Sequence, residues 1–399
     1  MNPRAWGLGL LLIYSVAHFA VTGIAGAVRV MGNDILSAFP GPLIAGREAW
    51  ADTIALLFPP GTWNYGPVAQ FWTYPLGIFR SVPNAMLALL LINYVLLGVS
   101  FAIWLAELAR GRDRARTCAV MLVVWLNYFP LLTAITGREI EIFEFFLLSV
   151  AFHYLRRGGE TVAGALVGLA TMTKFLPGLF VPYLLLKRRW RAATAAVVMI
   201  AVTALAAQWL LDFRKSITFT LSGEVKASSV IARDHPENQA LTNVVQRELL
   251  RLSATVRTSK LVGNVLQGLV GGLALLAMWR RRHVAVGVWD YSIMLMTMII
   301  VPPWSNVYYL MFLVVPFSAA FVWLTDRSGS RWHLATVVIA YLMSGYMVPF
   351  SVLGAPLGLS AIDVRFLLGS LSLPGIGLLL LYATFWELEA AAKGSAITT

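Results

Sequence analysis

Long apolar runs recur from residue 6 almost to the end of the chain, separated by short polar breaks rich in arginine, and they limit its possible folds more than any other feature. A helix rising about 1.5 Å per residue needs roughly 20 apolar residues to cross the hydrocarbon core of a bilayer. The runs at 6–30, 84–108, 117–136, 140–155, 192–211, 260–279, 286–301, 305–324, 332–350 and 364–386 approach or exceed that length. A further run, 161–186, is interrupted by Lys174 and Pro177, and a mixed segment, 65–82, contains Pro67 and Pro75. With 59% hydrophobic and only 13% charged residues, one aqueous core could not hide the apolar surplus, so lipid is the solvent for much of it. In lipid every backbone polar group must be satisfied internally, which leaves helices or closed barrels, and these runs have helical length. The expectation is an all-α polytopic membrane protein of about 11–12 transmembrane helices, including a broken helical hairpin, in one transmembrane domain over 1–399.

The first run follows Arg4 in the manner of a signal peptide, but it continues to about Val30 and is read as an uncleaved first helix. The single Cys118 excludes an internal disulfide framework. The formal net charge is +12. Most of the arginines and lysines lie in short loops, where they set membrane orientation, so nucleic-acid binding is not expected.

The basic clusters are Arg110 to Arg116, Arg156 with Arg157, Lys187 to Arg191, and Arg280 to Arg282, with Arg327 and Arg331 beyond. Placing all of them in the cytoplasm puts both termini there too. The alternation works only if 161–186 begins and ends on the cytoplasmic side. That run is too short for two full crossings, so two short helices are expected to meet inside the membrane near Lys174 and Pro177, a broken helical hairpin. The long segments 31–82 and 212–259 then face outward. The second carries seven basic and five acidic residues, and long loops escape the charge bias.

Several residues carry candidate chemistry. Asp34 follows the first run at the outer interface, where a carboxylate could take a proton from a hydroxyl nucleophile, although GNDILSAF by itself reads more simply as a loop with Asp34 capping a new helix. In GREIEIFEFF, Arg138, Glu139, Glu141 and Glu144 crowd the outer end of a run. Spacings of three put Arg138 with Glu141, and Glu141 with Glu144, on shared helix faces. They either line a substrate cavity or form an interfacial ion pair. Lys174 is the strongest anomaly, an ammonium at bilayer depth beside a proline. It marks a site, with phosphate a natural partner, unless it snorkels to the interface. The stretch HPENQALTNVVQR supplies His235, Asn238 and Gln239 ahead of an amphipathic surface helix. VPPWSNVYYL supplies Trp304, Ser305, Asn306 and Tyr308, which resemble a sugar-binding surface, with Tyr309 assigned to an aromatic belt. No His/Cys spacing suits zinc, so neither metal nor cofactor is expected.

Taken in order, a set of motifs resembles glycosyltransferase family 87. They are the early Asp34; NYGPVAQFWTYPL with Tyr65, Pro67, Pro75 and Leu76; GREIEIFEF; ALVGLATMTKFLPGLFVPYLLLKRRW with Lys174 in Lys-x-x-Pro; Asn-Gln-x-Leu from Asn238; and a Pro-Trp-Ser turn at 303–305. The resemblance spans about 30 to 325. That family belongs to the C-type superfamily of polytopic glycosyltransferases, which use polyprenyl-phosphate sugars such as mannose or arabinofuranose outside the cytoplasmic membrane. The resemblance implies an inverting transfer to a hydroxyl of a lipid-linked or cell-envelope glycan, in the cell membrane, with the active site facing outward. It makes Asp34 the base and Lys174 a phosphate ligand, with Arg138 and His235 placed beside it. Glu141, Tyr65, Asn238, Gln239, Trp304, Asn306 and Tyr308 would contact sugar or acceptor. Two motifs depart from the family pattern: Asn306 and Tyr308 stand where histidines are usual, and Arg138 where glutamine is frequent. An arabinofuranosyl donor, and a transporter or flippase of a lipid-linked saccharide, are the competing readings; the latter would share many spans and broken helices.

Overall fold

A computed structural model describes residues 3–32, 68, 82–137, 139–211, 238–302, 305, 307–326, 330–345, 356, 358 and 361–397. Among these residues the chain is helical throughout, with no strand. The helices are α1 (Pro3–Gly32), α2 (Val82–Leu108), α3 (Arg114–Asn127), α4 (Phe129–Gly137), α5 (Glu141–Arg156), α6 (Glu160–Thr173), α7 (Phe180–Leu186), α8 (Trp190–Leu211), α9 (Leu241–Arg251), α10 (Val256–Arg280), α11 (Val288–Ile300), α12 (Val314–Asp326), α13 (Arg331–Gly345), α14 (Ala361–Ser370) and α15 (Leu373–Ile397). Two 3₁₀ segments, Leu176–Leu179 and Val307–Leu313, lead into α7 and α12. The protein is an all-α polytopic membrane protein. Among the described residues, four helices are long and apolar enough to cross a bilayer: Leu87–Leu108, Trp190–Gln208, Val256–Arg280 and Tyr308–Asp326.

Several uninterrupted runs of the sequence are broken in three dimensions. The run 117–136 becomes α3 and α4, bent by 63°. Pro130 has no N–H for the Leu126 carbonyl and its ring crowds that carbonyl, so one straight helix is not available. The run 364–386 is cut between α14 and α15, where Ser372 adopts a left-handed φ of 57°. The shorter apolar helices, such as α6 and α11 with 14 and 13 residues, reach only about 20 Å each. Taken singly, they fall short of a full crossing.

The 161–186 segment breaks where expected. α6 ends at Thr173, and Lys174 is extended with φ −146° and ψ 143°. Pro177 cannot donate to the Thr173 carbonyl, which removes the next helical bond. A Cβ on Gly164 would lie 1.9 Å from the Ala192 carbonyl oxygen, and one on Gly168 would lie 2.6 Å from that of Ala196. Both contacts advance four residues together, so α6 and α8 run parallel and start at the same end. The chain must therefore return between them, through the 3₁₀ turn and α7. Arg189 closes the loop on Glu160 at 2.8 Å. The segment begins and ends on one side, as the alternation of basic loops required.

Small residues permit this backbone approach, as is usual where lipid removes the hydrophobic drive between helices. Gly164→Ala is expected to destabilise the protein by about 1–3 kcal/mol, because the obstacle is rigid backbone. Gly98→Ala, with nothing within 4 Å of its new methyl, should be neutral or slightly stabilising. Thermal unfolding of the purified variants checks both; equal melting temperatures would contradict the close α6–α8 contact.

The basic loops gather at one end of the bundle. Glu107 accepts from Arg110 at 2.7 Å and pairs with Arg156 at 3.3 Å. Arg112 meets Asp326. Lys187 Nζ donates to Asp290 at 2.7 Å and to the Arg281 carbonyl at 2.9 Å, while Arg281 flanks the same carboxylate at 2.9 Å. α5 runs from this end to the opposite one, a length of about 24 Å for its 16 residues.

Candidate active site

At the far end of α5, opposite the basic loops, the structure assembles a buried charged cluster. Glu141 and Glu144 occupy the first turn of α5, where the unpaired N–H groups of the helix favour negative charge. Lys174, released from α6 by the break before Pro177, reaches across and donates a hydrogen bond to Glu141 Oε1. Its side chain is only 6% exposed and that of Glu141 only 1%. The Lys174 ammonium also lies 4.5 Å from the centre of the Tyr309 ring. Lys174 therefore does not snorkel to a headgroup layer; it is held inside protein. Tyr309 is 3% exposed, which corrects its assignment to an interfacial belt. Its ring faces a cation in the bundle because the 3₁₀ segment turns it inward.

Glu144 is the unusual member. It is fully buried, and neither carboxylate oxygen receives a hydrogen bond among the described residues. Glu141 Oε2 is equally without a donor. One ammonium thus faces two carboxylates, and acceptor capacity exceeds donors. Burying a carboxylate without donors is costly, and a buried ion pair adds little stability over apolar packing. Such an arrangement is suited to a ligand that brings hydroxyl donors and an anionic group.

Asn238 and Gln239 act as ties around Ser305. Asn238 Oδ1 accepts from the backbone N–H groups of Ser305 and Ala240, both at 3.1 Å. The Gln239 N–H donates to the Ser305 carbonyl at 2.6 Å. Gln239 Oε1 accepts from Gly375 N–H at 3.0 Å, and its Nε2 donates to the Gly369 carbonyl at 3.3 Å. Arg247 closes the set by donating to the Asn238 carbonyl at 2.7 Å. These bonds fasten Ser305, four residues before Tyr309, to the α14–α15 junction. Asn238 Nδ2 and Ser305 Oγ are buried without a hydrogen-bond partner among the described residues.

α9 is the amphipathic helix anticipated after His235, but its first turn, Leu241 to Val244, is buried rather than laid on a surface. A Cβ on Gly263 of α10 would come within 3.0 Å of the Thr242 carbonyl oxygen.

Of the candidates drawn from the sequence, Glu141 and Lys174 meet directly. Asn238 and Gln239 connect to them through Ser305 and Tyr309, with half-buried Tyr308 alongside. Asp34, Tyr65, Arg138, His235, Trp304 and Asn306 lie outside the described residues. Tyr309 is named in the sequence but assigned to a belt, because its pairing with Lys174 leaves no local trace. Sequence reading ranked Glu144 only as a neighbour of Glu141, although the three-residue spacing already placed both on one face.

No curated protein matches the chain. The model of glycosyltransferase family 87 matches residues 63–303, more than half of the 399 residues and the whole stretch from α2 to the end of α11. That stretch carries Glu141, Glu144 and Lys174 at the broken helix, and the chain belongs to glycosyltransferase family 87.

Proposed function

We propose that this glycosyltransferase moves a sugar, mannose in the first instance, from a polyprenyl-phosphate donor to a hydroxyl of a lipid-linked or cell-envelope glycan on the outer face of the membrane. The observation that carries the reading is the buried Lys174–Glu141 pair with donor-free Glu144 beside it, at the bundle end opposite the basic loops. The acceptor oxygen attacks the anomeric carbon, the bond from that carbon to the phosphate oxygen breaks, and the configuration inverts. Asp34 takes the acceptor proton. The polyprenyl phosphate leaves with the bonding electron pair, and cations answer its growing charge. Lys174, with Arg138 and His235, has that task; Glu144 and Glu141 Oε2 accept from sugar hydroxyls. Tyr65, Trp304, Asn306 and Tyr308 line the sugar and acceptor side.

The test is product formation by purified protein supplied with polyprenyl-phosphate mannose or arabinofuranose and a lipid extract. The expected result is mannosyl transfer with inverted anomeric configuration. Lipid-linked sugar crossing proteoliposomes without transfer would favour a flippase and overturn the reading. Orientation is checked separately: Thr53→Cys and Ser228→Cys are expected to react with an impermeant maleimide on intact cells. Labelling only after permeabilisation would place the transfer reaction on the other face.

A further inference from the structure

A second site lies at the basic end, remote from the Lys174 cluster. A cavity of about 460 Å³ opens between the α5–α6 turn and the α7–α8 turn, walled by Gly158, Gly159, Glu160, Arg188, Trp190 and Arg191, among others. That volume falls within the range of small-molecule sites. Neighbouring cations at this end are spent on acids: Arg110 and Arg156 on Glu107, Arg112 on Asp326, and Arg189 on Glu160. The Arg188 and Arg191 guanidinium groups make no ion pair or hydrogen bond with any described residue. The single acidic wall residue, Glu160, is already answered by Arg189. Arg188 also holds a left-handed φ of 56°, a conformation that costs energy in a non-glycine residue. It is set by the tight turn between two packed helices, and it aims the cavity rim.

The wall continues into an apolar track. Trp190 is 60% exposed. Val197, Val198, Val202 and Leu205 follow on the same side of α8, seven to fifteen residues beyond Trp190, and each is more than half exposed. The track climbs from the arginines about 10–20 Å along a helix that spans the bilayer. A phosphate beside two arginines and an acyl chain along this track match one kind of molecule. We infer that the cavity binds the phosphate headgroup of an anionic lipid from the leaflet at the basic end, with its chain lying on α8. The arginine fork suits a phosphodiester, and the tryptophan sits where an indole meets headgroups. The inference does not depend on the transfer reaction.

The experiment uses the full-length protein and native mass spectrometry, titrating dioleoyl phosphatidylglycerol against dioleoyl phosphatidylcholine, with water-soluble glycerophosphate as a separate arm. Phosphatidylglycerol should bind at a defined stoichiometry in preference to phosphatidylcholine. The double substitution Arg188→Gln with Arg191→Gln should weaken it roughly thirtyfold, the usual contribution of two basic residues near an anionic surface. Trp190→Ala should weaken it as well. Arg114→Gln with Arg280→Gln, two exposed cations elsewhere at this end, should leave it unchanged. An equal loss in this second pair would reduce the effect to general surface potential and overturn the site. Glycerophosphate binding as well as the lipid would overturn the lipid assignment. Equal affinity for both phospholipids would overturn the inference outright.

Discussion

Replacement of Lys174 by methionine is expected to cost about 3–5 kcal/mol of stability, because it leaves Glu141 and Glu144 together in a buried site with no cation among the described residues. A loss of that size is a large fraction of the stability of an ordinary domain, so the single variant alone could not separate folding from function. The double variant Lys174→Met with Glu141→Gln resolves this. It removes one positive and one negative charge and is expected to recover most of the melting temperature. It should still bind the polyprenyl-phosphate sugar at least tenfold more weakly, since one charge-assisted contact to the phosphate is gone. A double variant that folds and binds the donor normally would make Lys174 a structural partner of Glu141 and remove it from the phosphate site.

Asp34→Asn is expected to lower turnover by roughly a hundredfold or more while changing donor affinity little, since the amide keeps the shape but accepts no proton. The rival carboxylates in GREIEIFEFF are no longer equal. Glu141 is engaged with Lys174 through Oε1, so that oxygen is not open to an acceptor hydroxyl. Glu144 has both oxygens unclaimed, so it replaces Glu141 as the control that matters. Glu144→Gln is expected to raise KM for the donor, as a lost sugar contact should, with kcat falling less than in Asp34→Asn. If Asp34→Asn turns over normally and Glu144→Gln does not, the base is on α5 and Asp34 is misassigned. Single-turnover rates at saturating donor distinguish the two cases.

Local signals made much of this protein legible. Apolar runs of bilayer length, little charge and clustered arginines specify membrane helices, because lipid satisfies apolar side chains and leaves backbone groups to pair within each segment. Lys174 and Pro177 marked the break in 161–186 by the same local physics: a buried ammonium is costly, and a proline ends a helix. The two-residue break at Ser372 stands just before Pro374, a mark of the same kind, yet apolar length alone made 364–386 read as one helix. The 63° bend before Pro130 also passed unremarked in an unbroken apolar run.

Composition and spacing determined that the chain is an all-α membrane protein with its basic loops at one end, and they singled out Lys174 and the glutamates of GREIEIFEFF. Which partner Lys174 chose was decided only in three dimensions. Gly164 and Gly168 let α6 approach α8 to backbone contact, and α5 and α6 pack as neighbours that bring Glu141 to the ammonium. The Asn238–Gln239 ties to Ser305 belong to the Tyr309 side of the same site. Each of these contacts joins residues far apart in the chain. Side chains distant in sequence share no periodicity, so only the packed bundle could show that Lys174 faces two buried carboxylates and that Glu144 has no donor among the described residues.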